Sequence, residues 1–310
     1  MPRLLIPLLL LAALIAVSIA TPPAIEKPPV GAAESIGEAL PKTAHATPKK
    51  PRKLLVFSKT NGFRHESIAT GKLALTELGK QTGAFEAIVS DDLENFEPER
   101  IQAFDAICFL NTTLNVFAPH PELWKTLTPE AQAEASEVEK RLKQSLMDYI
   151  SKGGGFVGIH AATDTFYEWP EYGEMMNGYF DGHPWMAEMD VSIKVEPGKS
   201  DHPIVAMFEN TRLDIKEEIY QLKTPYNSSA VTMLLRLDTE NTRMDIPGIH
   251  RKDNDFGVAW CRHWRKGRVF YTSLGHNHAI FWHPKILSHY LAGIQWALGD
   301  LQAEAQPYQP

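Results

Sequence analysis

Gly153-Gly154-Gly155-Phe156-Val157-Gly158-Ile159-His160 puts a helix stop, a buried strand and a polar terminus side by side. The three glycines close the helical pattern before them, because glycine reaches left-handed backbone without a Cβ clash. Phe156 to Ile159 is a short continuous apolar run, the pattern of a strand covered on both faces of a parallel sheet. His160 then stands where the strand gives out, at the edge where open parallel sheets collect their ligands.

The same unit recurs on either side. Lys53–Phe57 reads as the first strand, and Ser67–Lys80 as a helix with Ser67 at its N-cap and Ile68, Leu75 and Leu78 on one stripe. Phe85–Ser90 and Phe104–Leu110 read as the second and third strands. Thr128-Pro129 opens a helix that runs through Lys152, with proline at its first position. Further strands follow at 190–196, 213–222 and 231–237. Phe256–Trp264 and Arg268–Ser273 flank a Gly267 turn as a hairpin, and a last helix covers 284–298. Parallel units first and a hairpin later predict an α/β fold: an open sheet, parallel in its core, with a mixed edge.

Composition narrows the function. The chain has 310 residues, 44% hydrophobic and 22% charged, with a formal net charge of −7. Nucleic-acid binding is excluded as an expectation, since the basic cluster Lys49, Lys50, Arg52 and Lys53 falls in a linker. Arg3, the apolar run Leu4–Ile19 and the small residues Ser18 and Ala20 predict a signal peptide over 1–20, and so a periplasmic or secreted protein. An uncleaved anchor is the competing reading, although about 16 apolar residues fall short of the ~20 of a spanning helix. After cleavage no stable membrane insertion is expected. Residues 21–52 carry seven prolines and read as a disordered linker. The domain is expected over 53–299, with a tail at 300–310. Cys108 and Cys261 sit in apolar strand-like runs, which predicts neither a disulfide nor a catalytic thiol.

The polar residues that follow strands are the candidates for chemistry. Asn61, Arg64 and His65 follow the first strand, Asn111 the third, His160 and Asp164 the fourth, and His276 the hairpin's second strand. Three strands therefore deliver His65, His160 and His276 to one rim. The loop Tyr179–Trp185 either brings His183 to the pocket or keeps its ring within the loop. Glu217-Glu218-Ile219-Tyr220 supplies a carboxylate, or else a solvated pair on an edge strand. Neutral imidazole serves as a general base or a metal ligand, and Glu218 or Asp164 would fix a tautomer. There is no His-Glu-x-x-His pattern, so metal and cofactor stay unassigned, with zinc open if His65, His160, His183 or His276 cluster. The triple glycine follows a helix and precedes a strand, the reverse of a phosphate loop. Trp169, Trp185 and Trp282 are candidate stacking surfaces for a sugar, or core.

At Gly62-Phe-Arg-His65, Gly153 to Ala161, Phe180 with His183-Pro-Trp185, Glu218-Ile-Tyr220, Gly257-Val-Ala-Trp260 and Gly267 to His276, with Trp282 beyond, the chain resembles the ThuA-like, or trehalose-utilisation, family. The resemblance covers about residues 53–299. It implies a flavodoxin-like, class I glutamine amidotransferase-like fold. The nucleophilic cysteine of glutaminases would fall at His160 here, so glutamine thioester chemistry is not available; His276 matches the second active-site element. The family's association with trehalose and its 3-keto relatives implies a small-molecule carbohydrate partner. His160, His276, His65 and Glu218 are then the catalytic candidates. Asn61, Arg64, Asn111, Asp164, His183, Trp185, Tyr220 and Trp282 are the ligand-binding ones. The expected activity is acid/base chemistry on an oxidised sugar, as in a keto-sugar isomerase, lyase or hydrolase. A non-catalytic sugar-binding module and a metal-dependent hydrolase are the alternatives.

Overall fold

Leu54 and Val56 of strand β1 (Lys53–Phe57) enter one hydrophobic core, and Leu55 and Phe57 enter another; all four are fully buried. That alternation on a strand with two apolar faces requires a layer on each side of the sheet. The computed structural model describes residues 26–308 and supplies both layers. In chain order the elements are α1 (Ala32–Ala39), β1, α2 (Ile68–Thr82), β2 (Glu86–Val89), β3 (Ala106–Leu110), α3 (Pro121–Trp124), α4 (Pro129–Ser151), β4 (Gly155–Ile159), α5 (Pro170–Met176), β5 (Tyr179–Phe180), β6 (Asp190–Val195), β7 (Leu213–Lys216), β8 (Leu222–Lys223), β9 (Thr232–Leu237), β10 (Gly257–Trp264), β11 (Gly267–Thr272) and α6 (Pro284–Ala297). Buried residues of α1, α2 and α6 belong to one core, and those of α4 and α5 to the other.

The nine-stranded sheet runs β2-β1-β3-β4-β11-β10-β9-β6-β7. The strands from β2 to β11 pair in parallel, and those from β11 to β7 pair antiparallel. The antiparallel part is thus a full half of the sheet, larger than the mixed edge expected from the sequence. The hairpin β10–β11 is the hinge between halves, because β11 lies beside β4. Its register places Ile159 between Leu110 and Thr272. The carboxyl ends of β3, β4 and β11 are therefore level, and the residues that follow them meet.

Two expectations need correction. The stretch read as a disordered linker is an ordered strap in its described part. Its α1 buries Ile36 and Ala32, the His45 and Ala46 backbone bonds the Gln295 side chain, and Arg52 forms a two-pronged pair with the buried Asp300 carboxylate. These buried partners supply what a proline-rich composition alone could not set against ordering entropy. The tail likewise docks, with His263 N–H donating to the Gln306 carbonyl at 2.8 Å and Tyr308 packed 4.0 Å from Trp264. Finally, the strand expected over 213–222 breaks after Lys216. β8 pairs instead with β5 in a separate two-stranded sheet. Glu217 and Glu218 lie on the crossing segment, buried, and not on a solvated edge.

The expected signal peptide at 1–20 lies outside the described residues. Among the described residues no helix is long and apolar enough to cross a membrane. Cys108 and Cys261 are free and fully buried in β3 and β10.

Candidate metal centre

His160 is the first residue past β4 and adopts left-handed backbone, with φ of 51°. Such a conformation is strained for a residue with a Cβ and persists only where the surroundings impose it. Here its ring imposes part of it: Nδ1 lies 2.7 Å from the Ser273 carbonyl oxygen beyond β11. A carbonyl only accepts, so Nδ1 carries the proton and the Nε2 lone pair faces the site. The opposing loop comes this close because residue 275 is glycine: a Cβ there would fall 2.8 Å from Ile159 Cγ2 and 3.1 Å from His160 Cβ, at a φ of +148°.

His65 arrives from the β1 loop and His276 from the β11 loop. The three rings are mutually edge-on, with centroids 4.8 Å (His65–His160), 5.0 Å (His65–His276) and 5.3 Å (His160–His276) apart. Glu218 enters from the opposite side. Its Oε1 lies 3.5 Å from His160 Nε2 and 3.2 Å from His276 Nδ1, and its Oε2 lies 3.3 Å from His183 Nδ1. The ligand atoms of His65, His160, Glu218 and His276 all lie within 4.8 Å of one another. His65 Nδ1, His160 Nε2 and His276 Nδ1 are buried without a hydrogen-bond partner among the described residues. Buried polar atoms ordinarily have partners, so three orphans facing one point call for a shared one. Donors around a zinc-class ion sit at about 2.0–2.2 Å, hence roughly 3.4 Å from each other. Closing the present set needs side-chain shifts on the order of 1 Å. Three imidazoles and a carboxylate are a donor set that zinc and similar divalent ions accept.

Electrostatics favours the same state. Burial, helped by the neighbouring histidines, holds His65 far below its ordinary value, at about 2. Burial likewise lowers His160 against the pull of Glu218. His276 is raised, because Glu218 outweighs its burial. Burial pushes Glu218 up, but His160 and His276 outweigh it and keep the carboxyl below the usual range. Two imidazoles held neutral beside an ionised carboxylate are ready to bind a metal, whereas His276, held charged more readily by Glu218, must release a proton to do so.

The cluster opens into a cavity of about 440 Å³ with apolar walls of Phe63, Phe180, Met186 and Tyr220. Tyr220 packs its ring 4.3 Å from that of His160. Asp164 also faces this space and accepts a hydrogen bond from Tyr167; burial pushes its carboxyl up to about 6. His183 lines the mouth and is partly exposed.

Other residues singled out in the sequence lie elsewhere. Trp185 is wholly buried, its Nε1 donating to the Arg243 carbonyl and its ring edge-on to Phe256, so it is core. Trp282 lies parallel to His278 away from the cavity, and Trp169 packs on Phe166 and Tyr172. Arg64 pairs with Glu26 of the strap. Asn111 is a brace beneath the site, its Nδ2 donating to Ser67 Oγ at 3.1 Å and the Gly275 carbonyl at 3.0 Å. Ser67 gives its hydroxyl to that same carbonyl and does not cap α2. Asn61 turns away from the histidines.

Glu217 acts where the sequence pointed to Glu218 alone. Glu217 is fully buried, and its carboxylate accepts backbone N–H groups from Gly275 (2.7 Å), His276 (2.6 Å) and Asn277 (3.0 Å). It holds the loop that carries His276. Burial pushes it up to about 7 against those three donors. The available signal was a pair of acids interrupting an apolar alternation between Ile215 and Ile219.

The model of the family described as "ThuA: Trehalose utilisation" matches residues 53–297. The chain belongs to the ThuA family. A solved ThuA-like protein from Bacteroides uniformis is 20% identical, with 81% of this chain and 93% of that one covered at a TM-score of 0.60. A ThuA-like protein from Parabacteroides merdae is 17% identical, covering 82% and 93%, at 0.53. A protein of Salmonella typhimurium described as cytoplasmic is 13% identical, covering 79% and 98%, at 0.52. At these identities the likeness shows the fold, which in the ThuA family is flavodoxin- and glutamine amidotransferase-like. No functionally curated protein matches the chain. ThuA membership supports a role in carbohydrate utilisation.

Proposed function

We propose that this ThuA protein is an exported, metal-dependent enzyme acting on a trehalose-related or 3-keto sugar. One observation carries the reading: ligand atoms of His65, His160, His276 and Glu218 converge within 4.8 Å at the floor of a cavity, and each of the three rings has a buried nitrogen without a hydrogen-bond partner among the described residues. Acid/base histidines need not converge in this way, and a sugar-binding module has no use for buried nitrogens that hydroxyl groups cannot all reach. His65, His160, His276 and Glu218 would hold a divalent ion, which supplies a Lewis acid for a sugar oxygen. The protein's own residues supply the rest. Ser273 fixes the His160 tautomer, and Glu217 fixes the position of His276. Phe63, Phe180 and Tyr220 offer apolar faces to the C–H side of a sugar ring and exclude water. Asp164, with a carboxyl pushed up to about 6, holds or accepts a proton beside the bound sugar.

Elemental analysis of native protein tests the reading. About one divalent ion per chain is expected, with loss in His160→Ala and loss of 3-keto-trehalose turnover on chelation. Full turnover by metal-free protein would overturn it. Export rests on the charged and apolar first twenty residues, and native protein beginning at Thr21 by intact mass would support it.

A further inference from the structure

His183 meets the cluster of histidines and Glu218 from outside it. Its Nδ1 lies 3.1 Å from Met186 Sδ, to which it is hydrogen-bonded, and 3.3 Å from Glu218 Oε2. A thioether and a carboxylate both accept, so Nδ1 carries the proton and Nε2 the lone pair. The thioether is the weaker acceptor, and a small turn of the ring passes the N–H to the carboxylate.

The backbone aims this ring. Between the pairs Phe180–Leu222 and Trp185–Ile219, residues 181–184 face only Tyr220 and Gln221, so the longer strand bulges. Gly182, at a φ of +109°, makes the turn into the bulge, and the Gln221 N–H holds its carbonyl at 2.9 Å. Phe180 lies nearly parallel to the His183 ring, with centroids 5.8 Å apart. Bulges re-aim side chains beside functional sites, and this one sets an imidazole against Glu218.

The two oxygens of Glu218 keep different company. Oε1 stands between His160 Nε2 at 3.5 Å and His276 Nδ1 at 3.2 Å, both in the ligand set. Oε2 faces His183, which is outside that set. Three imidazoles and one carboxylate oxygen already fill a tetrahedral ion, and catalysis needs a further position for substrate. A zinc-class ion can expand to five ligands, and the second carboxylate oxygen competes for that fifth place. We infer that His183 is a positioning residue, which holds Glu218 Oε2 off the ion and so keeps a place on it open to substrate. The inference rests on reading the cluster as a metal centre. Loss of the ring N–H frees Oε2 to swing onto the ion and close that place.

Azide titration of the cobalt-loaded protein, followed by visible absorption, tests this. Azide should shift the cobalt bands of wild type. His183→Ala should hold as much cobalt and bind azide about 10–100-fold more weakly, the usual effect of losing an outer-shell partner. His183→Asn should restore azide binding, because its Nδ2 brings an N–H to the place of the ring Nδ1. In metal-free wild type at mildly alkaline pH, nitrogen–proton correlation spectra should show the His183 proton on Nδ1. The inference is overturned by cobalt-loaded wild type that ignores azide, by equal azide affinity in wild type and His183→Ala, by no recovery in His183→Asn, or by a proton on Nε2. Wild type that binds no cobalt overturns the metal centre and the positioning role with it, whereas bound cobalt with equal azide affinities removes the role of His183 alone.

Discussion

Glutamine at position 217 would set an NH₂ group against a loop that offers only donors. The amide oxygen can keep the Gly275 and His276 N–H groups, at 2.7 and 2.6 Å in the native protein, but its nitrogen then faces the Asn277 N–H, now 3.0 Å from a carboxylate oxygen. Leaving that donor unsatisfied costs about 1–3 kcal/mol, and two charge-assisted bonds become neutral ones at about 1 kcal/mol each. The expected destabilisation is about 3–5 kcal/mol, a large part of the roughly 5–15 kcal/mol available to a folded domain. The same change lets His276 drift, which should weaken metal binding about 10–100-fold, as loss of an outer-shell partner does. Glu218→Gln should behave oppositely. Its carboxylate touches three imidazoles at 3.2–3.5 Å and holds no backbone. The metal-free protein should lose about 1–3 kcal/mol, less than with Glu217→Gln, because no backbone donor is stranded, whereas metal affinity should drop by more than the ~100-fold of an outer-shell loss. Urea unfolding of metal-free protein and zinc competition against a chelating dye, both at pH 8, read these quantities; Glu217, at about 7, is ionised there. A Glu217→Gln protein as stable as wild type, or one less perturbed than Glu218→Gln, would refute the division of labour.

Gly275→Ala should cost about 1–3 kcal/mol and lower metal affinity, because the new Cβ strikes Ile159 and His160 at a φ of +148°; Gly83→Ala, at φ +65° with nothing within 4 Å, should cost no more than about 1–2 kcal/mol and leave metal binding intact. His65 sits in the fold at about 2, below the ~6.5 of an unfolded histidine, so the unfolded state binds the extra proton. The stability of metal-free wild type relative to His65→Gln should therefore be flat above about pH 7 and fall by about 1.4 kcal/mol per pH unit below 6.5; a flat difference down to pH 4.5 would show that the ring is not buried neutral. Cys108 and Cys261 are fully buried, with thiols pushed up by burial. Ellman's reagent should accordingly find no thiol in native protein and two in denaturant, and rapid native labelling would contradict that placement.

The sequence by itself determined the units that are locally encoded. An apolar run such as Leu54–Phe57 has no stable place except between two layers, and the glycines at 153–155 stop α4 wherever the chain goes next. Parallel strands share one carboxyl edge, so placing His65, His160 and His276 on one rim followed from counting strands. Tertiary structure alone decided the rest, because pairing and convergence are long-range. Whether β11 would pair with β4 or lie at an edge depends on partners a hundred residues away in the chain. The strap's order depends on Gln295 and Asp300, which no local reading of its prolines contains. Trp185 and Asn61 carry the right chemistry for a sugar site, yet Trp185 packs into the core and Asn61 spends its amide N–H groups on the Asn115 and Ala118 carbonyls. Glu217 and Glu218 are adjacent and chemically identical. Successive residues of an extended segment face opposite ways, and only the folded chain shows that one way lies the His276 loop and the other the histidines themselves.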